Sequence, residues 1–118
     1  MYHFRLKPST IPGAGVGVFA TAAIPRGTML KELFNDDEVR FHTWADFAAL
    51  DILPEIKDNF ATRFDEGCYL PTDPNRMSVG WYLNHSATPN LAHDANYDYH
   101  TLRDIAAGEE LFIDYDDL

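Results

Sequence analysis

The chain has 118 residues, of which 46% are hydrophobic and 14% are aromatic, and its formal net charge is −10. This length fits one domain with a modest core, so we expect a single domain over residues 1–118. The apolar and aromatic content excludes an intrinsically disordered chain. The negative charge argues against direct binding to nucleic acid, because phosphate backbones are also negative.

No apolar stretch reaches the length of a membrane span, and no signal-peptide pattern opens the chain, so we expect a cytoplasmic protein. Cys68 is the single cysteine, which excludes an internal disulfide and a cysteine-based zinc site. The acidic charge could attract a basic protein or peptide, although solubility alone explains it equally well.

Short apolar or alternating runs separated by Pro- and Gly-rich turns predict a mainly β fold. The predicted strands cover residues 2–6, 17–21, 28–34, 67–70, 91–93, 97–105 and 111–115. We expect the runs 91–93 and 97–105 to form a hairpin around a turn at 94–96. The charged residues 35–40 are expected at the surface, and residues 77–83 could form a short helix.

One segment, residues 43–50, has the pattern of an α-helix. Thr43 can cap its N-terminus, with Asp46 at the third helical position as in a capping box. Pro54 is expected to end the element. The apolar residues of this segment fall near one face and are expected in the core: Trp44, Phe47 and Leu50.

Three polar residues, Asn84, His85 and Ser86, directly follow the apolar and aromatic run at 81–83. A solvated loop rarely needs such a run, and a buried strand rarely tolerates three polar residues in a row. We interpret the segment as a buried stretch that ends in a polar site. Buried amide and imidazole groups need hydrogen-bond partners, so the site must supply them.

Gly15 and Gly17 form a second candidate site after a loop rich in proline and glycine. Glycine lets the backbone approach a ligand closely, but an isolated pair is more typical of an ordinary tight turn. A dinucleotide-binding fold is excluded, because no long apolar strand precedes the pair and no helix or third spaced glycine follows it.

The sequence resembles the SET-domain lysine methyltransferase family in three places. NHSATPN at 84–90 resembles the signature NHSxxPN, GEELFIDY at 108–115 resembles GEELxxDY, and GVGVFA at 15–20 resembles GxGVFA. The three motifs occur in the family's order and span nearly the whole chain, so together they are strong. The resemblance implies a β-clip-like fold of several small curved sheets, one short helix and a C-terminal pseudoknot that places Tyr115 beside Asn84 and His85.

The resemblance also implies S-adenosylmethionine as the cofactor and no metal. Tyr115 would be catalytic, and its hydroxyl would orient the methyl group and the lysine amine. We expect positioning and not general-base action, because a tyrosine pKa near 10 makes phenolate scarce at neutral pH. The implied cofactor-binding residues lie in the first two motifs and just before the second: Gly15, Val16, Gly17, Tyr82, Asn84 and His85.

Three residues are candidates for a channel that admits the substrate lysine. Tyr69 could line the channel or pack in a core, and His93 could face the channel or the solvent. Ile113 stands where many family members have a larger aromatic residue, which would leave room for further methyl groups.

Departures from the family pattern accompany these candidates. Trp81 stands where an arginine or a small residue is common, and Ala87 stands where a metal-binding cysteine is frequent. Three residues follow Tyr115 in this sequence, whereas the family uses a C-terminal segment to close the channel. We therefore expect an open site, weak cofactor affinity, a lid from a second subunit of a homodimer, or ordering by substrate.

The function implied is an S-adenosylmethionine-dependent protein-lysine N-methyltransferase acting on a basic protein such as a histone or a DNA-binding protein. The alternative is a non-catalytic SET-like module that binds the cofactor or a peptide. A metal hydrolase is a third interpretation, but the spacing of its potential ligands matches no metal template. Those residues are His85, His93, His100, Asp94 and Asp98.

Overall fold

The computed structural model describes residues 1–35, 39–51 and 60–118. Within them the chain is mainly β, with small sheets and a short α-helix, as predicted. The strands are β1 (Phe4–Pro8), β2 (Val16–Ala20), β3 (Val39–Thr43), β4 (Thr62–Arg63), β5 (Gly67–Pro71), β6 (Asn84–His85), β7 (Leu91–His93), β8 (Tyr99–Thr101) and β9 (Glu110–Ile113). The helices are α1 (Trp44–Ala49) and the 3-10 turns Lys31–Leu33, Val79–Tyr82 and Tyr115–Asp117.

The chain divides into two compact units, which are described separately. The first unit contains Met1–Asn35 and Ser78–Leu118, and the second contains Asp36–Met77. No helix among the described residues has the length and apolar composition needed to cross a lipid bilayer.

A four-stranded sheet organises the first unit. Its strand order is β1-β2-β9-β6, so the C-terminal strand β9 lies between β2 and β6. β9 is antiparallel to β2 but parallel to β6, with Asn84 opposite Phe112 and His85 opposite Ile113. The parallel pair joins the second and third sequence motifs directly. Strands β7 and β8 form the predicted antiparallel hairpin, with His93 opposite Tyr99.

The core of the first unit is built from apolar side chains of several strands and of the turns between them. Burial of these side chains supplies the main driving force for folding this unit. The buried members are Val18, Ala20, Ile24, Leu30, Leu33, Leu83, Leu91, Tyr99, Ile105, Leu111 and Ile113.

The predicted strand over residues 28–34 is wrong. The segment has a single β-bridge, from Met29 to His100, followed by the 3-10 turn Lys31–Leu33. Leu30 and Leu33 are both buried, and residues three apart meet on the same side of a helical turn but on opposite sides of a strand. The apolar residues of this segment therefore do not indicate a strand, because the buried positions are three residues apart and not two.

Other predicted boundaries differ by a few residues. β8 ends at Thr101 and not at residue 105, where Ile105 instead forms a separate bridge with Ile24. β9 ends at Ile113, because the Asp114 side chain accepts a hydrogen bond from the Asp116 amide and caps the turn that follows.

The second unit contains a three-stranded sheet of order β3-β5-β4. β3 was not predicted, since residues 35–40 were interpreted as a charged surface segment. The predicted cap of α1 is confirmed, because the Thr43 hydroxyl accepts a hydrogen bond from the Asp46 amide at 3.2 Å. The helix ends at Ala49, and the predicted terminator Pro54 lies outside the described residues. Cys68 is fully buried, and that burial raises the pKa of its thiol.

Candidate functional site

Tyr115 forms one hydrogen bond to His85 of the NHS motif (residues 84–86) and one to Leu83, which precedes it. Its hydroxyl donates to the Leu83 carbonyl oxygen at 2.6 Å, and its amide donates to Nδ1 of His85 at 3.0 Å. The centroids of the His85 and Tyr115 rings are 5.3 Å apart. Tyr115 is nevertheless 48% exposed, so part of its surface remains open to a ligand.

Nδ1 of His85 acts as a hydrogen-bond acceptor in this arrangement. An imidazole nitrogen that accepts an amide hydrogen carries no proton of its own, so the bond from Tyr115 fits the tautomer with its hydrogen on Nε2. Asp114 lies 3.6 Å from the same Nδ1 atom, and two acceptors form no hydrogen bond with each other. His85 therefore acts as an acceptor that holds the backbone of Tyr115.

One group of potential metal ligands occurs among the described residues: His85, Asp114 and Asp116, with ligand atoms within 4.8 Å of one another. Nδ1 of His85 and Oδ1 of Asp114 already accept backbone hydrogen bonds. A metal ion on these atoms would compete with the bonds that shape the Tyr115 turn. Of the residues in the hydrolase interpretation, this group contains only His85.

The Tyr115 phenol keeps its proton at neutral pH, because partial burial raises its pKa above the ordinary value. Its hydrogen is donated to the Leu83 carbonyl, so the oxygen lone pairs remain available as acceptors. Such a hydroxyl can align a donor or a polarised methyl group, but it cannot serve as an anionic base.

The two glycines of the first motif have different environments. Gly15 has a φ of +75°, which favours glycine, and a Cβ atom there would meet no other atom within 4 Å. A Cβ atom on Gly17 would lie 2.8 Å from Cδ of Glu110 and 3.2 Å from Nδ2 of Asn84. Gly15 therefore leaves open space beside the backbone, whereas Gly17 is required by close packing. Val16, between them, is 41% exposed.

Glu110 borders the candidate site, although the sequence singles it out only as part of the third motif. It is 4% exposed, and its carboxylate accepts hydrogen bonds from Ser9, Thr10 and Asn84. Burial by itself raises the pKa of this carboxyl, but the bonds from Thr10, Asn84 and Ser9 outweigh it and hold the pKa below its usual range. A buried charge is rare in proteins, but the sequence places Glu110 before the predicted strand 111–115 and therefore gives no sign that this charge is buried.

Asn90, the last residue of the second motif, is 1% exposed and acts inside the fold. Its Nδ2 donates to the Glu110 carbonyl oxygen at 2.8 Å, and its Oδ1 accepts the Phe112 amide at 2.7 Å. Both bonds are to the backbone of β9. Asn90 therefore fixes the position of the strand that leads to Tyr115.

The remaining site candidates lie in several environments. Tyr82 ends a 3-10 turn and packs partly buried against the core. Ile113 is 6% exposed within that core, and Tyr69 lies in the second unit with its ring edge-on to Phe41. The channel roles of Ile113 and Tyr69 stay predictions. The indole N–H of Trp81 is buried and has no hydrogen-bond partner among the described residues.

Both ring nitrogens of His93 lie within hydrogen-bond distance of a backbone carbonyl oxygen. Its Nδ1 and Nε2 atoms are each 2.8 Å from a carbonyl oxygen, of Asp94 and of Asp117 respectively. Two acceptors suit an imidazolium, which donates from both nitrogens. The ring stacks on Tyr97, whose φ of 60° is unusual for a residue other than glycine. Its role in a channel stays a prediction.

These contacts predict a pH-dependent contribution of His93 to stability. Burial lowers the pKa of His93, but the bonds to Asp94 and Asp117 and the charges of these aspartates outweigh it, so the folded-state pKa is raised. The contribution is therefore present below the unfolded-state pKa, near 6.5, and is lost as pH rises through the folded-state value. As pH rises from below 6.5 through the folded-state pKa of His93, the free energy of unfolding should decline less in His93→Gln than in the wild type. Urea denaturation at a series of pH values measures this difference. Identical pH profiles would contradict this assignment.

Comparison with known proteins relates this geometry to a family. The SET domain family profile matches residues 15–116. A curated relative from Halocynthia roretzi, the histone-lysine N-methyltransferase SETD7, is 30% identical over 122 aligned positions. That alignment covers 92% of this chain and 30% of the relative, so the chain spans under a third of its length.

Two solved structures share the fold. A humanized mutant of the Chaetomium thermophilum Polycomb Repressive Complex 2, bound to the inhibitor GSK126, matches with a TM-score of 0.69 and 23% identity, over 98% of this chain and 15% of that one. A Plasmodium falciparum protein described as a histone methyltransferase matches with a TM-score of 0.60 and 15% identity, over 98% of this chain and 94% of that one. These two likenesses show the fold, and the profile match over residues 15–116 establishes that the chain belongs to the SET domain family.

Proposed function

We propose that this chain is an S-adenosylmethionine-dependent protein-lysine N-methyltransferase. The observation that carries the proposal is the meeting of two motifs at Tyr115, whose hydroxyl is held 2.6 Å from the Leu83 carbonyl by a strand paired with Asn84 and His85. A half-exposed tyrosine fixed by both its amide and its hydroxyl is suited to positioning a reacting group.

The residues expected to hold the cofactor are compatible with it. Gly15 has an open, left-handed backbone, as a close approach by a ligand requires. Asn84 and His85 form the short strand β6, which pairs with β9 along one edge. Tyr82 would flank the cofactor, with Val16 and Gly17 completing its site. When bound, S-adenosylmethionine supplies an electrophilic methyl group on a sulfonium centre.

Methyl transfer needs a neutral amine, because an ammonium group has no lone pair. A lysine that enters an apolar site has its pKa lowered by desolvation, which supplies that neutral form. The neutral Tyr115 hydroxyl would accept a hydrogen bond from the amine and weak CH···O contacts from the methyl group. Alignment of the two reactants accounts for much of the rate in such a site. His93 and Ile113 remain candidates for guiding the lysine.

The substrate we propose is a lysine in a basic protein or peptide, such as a histone or a DNA-binding protein. The chain carries a net charge of −10, and Asp114, Asp116 and Asp117 surround Tyr115 in the sequence. Opposite charge steers association and favours basic partners. The name of the Halocynthia relative, a histone-lysine methyltransferase, supports the same substrate class.

The test is transfer of a labelled methyl group from S-adenosylmethionine to a panel of basic and acidic proteins. We expect label in basic proteins, recovered as methyl-lysine after hydrolysis. Binding of the cofactor by calorimetry without any transfer would overturn the proposal in favour of a non-catalytic binding module. Absence of both binding and transfer would exclude cofactor chemistry at this site.

A further inference from the structure

Glu110 is a buried carboxylate surrounded by hydrogen-bond donors from two distant parts of the chain. Oε1 accepts from the Thr10 amide at 2.7 Å and the Thr10 hydroxyl at 2.6 Å. Oε2 accepts from the Ser9 hydroxyl at 2.8 Å and from Nδ2 of Asn84 at 3.2 Å. Hydrogen bonds from several donors to both oxygens are stronger for an ionised carboxylate than for a neutral acid, so this site favours the charged side chain.

The residues held by Glu110 lie next to both predicted cofactor-binding motifs. The Ser9 amide donates to the Gly15 carbonyl oxygen at 2.8 Å, which closes the loop between β1 and β2. Nδ2 of Asn84 also donates to the Val16 carbonyl oxygen at 2.9 Å. The Asn84 amide group is oriented by these contacts, because its nitrogen has two acceptors as neighbours. One carboxylate thus connects the loop at residues 9–15 to Asn84 in the NHS motif.

We propose that Glu110 is the positioning residue of the cofactor site, which sets cofactor affinity by locking the loop at residues 9–15 and Asn84 into one arrangement. This inference rests on the proposed function, because it assumes that these two segments bind S-adenosylmethionine. Glu110 is itself buried and acts through its neighbours. A binding site whose two halves are already joined loses less conformational entropy when the ligand binds.

The same contact accounts for Gly17. A Cβ atom at this position would collide with the Glu110 carboxylate and approach Nδ2 of Asn84. Gly17 therefore makes room for the positioning carboxylate, which is a separate role from contact with the cofactor. Gly17 of the first motif and Glu110 of the third motif therefore constrain each other, because a side chain at position 17 would occupy the space of the carboxylate.

The experiment compares Glu110→Gln with Glu109→Gln, a neighbouring change that removes the same charge. The Glu109 carboxylate bonds Arg103, Asn90 and the Ala106 amide, and none of these partners belongs to the loop at residues 9–15. In Glu110→Gln the amide NH2 would face donors, so we expect affinity for S-adenosylhomocysteine to fall about tenfold or more by calorimetry. We expect the KM for S-adenosylmethionine to rise in parallel, while kcat at saturating cofactor stays within about twofold.

Each outcome decides the proposal. Unchanged affinity in Glu110→Gln, or an equal loss in Glu109→Gln, overturns the positioning role while leaving the proposed function intact. A wild-type chain that binds no S-adenosylhomocysteine overturns both. If Glu110→Gln does not fold, Thr10→Val removes one donor at an exposed position and should lower affinity in the same direction. Unchanged affinity in that variant would also overturn the proposal.

Discussion

Replacing Tyr115 with phenylalanine is expected to lower methyl transfer by about a hundredfold, equivalent to about 2.7 kcal/mol of transition-state stabilisation. The variant keeps the ring beside His85 and the amide bond to Nδ1. It loses the hydroxyl that donates to the Leu83 carbonyl and that, in the proposed mechanism, accepts from the substrate amine. Single-turnover rates at saturating cofactor measure the effect. Because the group acts in the reaction step, kcat should fall much more than cofactor affinity.

Tyr97→Phe is the matched control for this change. Tyr97 is similarly exposed, at 51%, but it stacks on His93 and lies outside the predicted cofactor-binding residues. We expect it to retain most of the transfer rate. Tyr115→Phe also loses the hydrogen bond to the Leu83 carbonyl, which lowers stability by about 1 kcal/mol. Thermal unfolding of both variants should therefore be compared. A Tyr115→Phe chain that transfers methyl groups at the wild-type rate would remove this residue from the mechanism.

Replacing Asn90 with alanine is expected to lower the free energy of unfolding by about 2–5 kcal/mol, because one buried and one partly buried backbone group lose their partners. These are the Phe112 amide and the Glu110 carbonyl, both in β9. Small domains have only about 5–15 kcal/mol of stability, so this single change is severe. Urea denaturation followed by tryptophan fluorescence measures it.

The control is Asn96→Ala in the exposed turn between β7 and β8, where the side chain is open to solvent. We expect a change within about 0.5 kcal/mol there, as for most surface positions. Equal stability losses in Asn90→Ala and Asn96→Ala would show that the buried amide does not hold β9 in place.

The motif residues could be predicted from sequence, and the structure brings three of them together. Tyr115 was expected beside Asn84 and His85, and the parallel pairing of β6 with β9 accounts for that contact. The cap of α1 by Thr43 was also predictable, because a helix cap depends on residues close in sequence.

Contacts between distant residues could not be predicted in the same way. Glu110 binds Thr10 across 100 positions, and no local pattern reveals which donors will surround a buried carboxylate. Asn90 was assigned to a polar signature, although it satisfies backbone groups of a strand that forms 20 residues later. The wrong strand at 28–34 had a tertiary cause as well, since burial of Leu30 and Leu33 outweighed local propensity.

The most direct test of the central claim is a titration of the isotopically labelled chain with S-adenosylhomocysteine, followed by amide chemical shifts. We expect the largest shifts at Gly15, Val16, Asn84, His85 and Tyr115, because the proposed function assigns these residues from three motifs to one cofactor site. Amides of α1 and β4, in the second unit, should change little. Large shifts confined to the second unit, or none at saturating ligand, would contradict the assignment of this site.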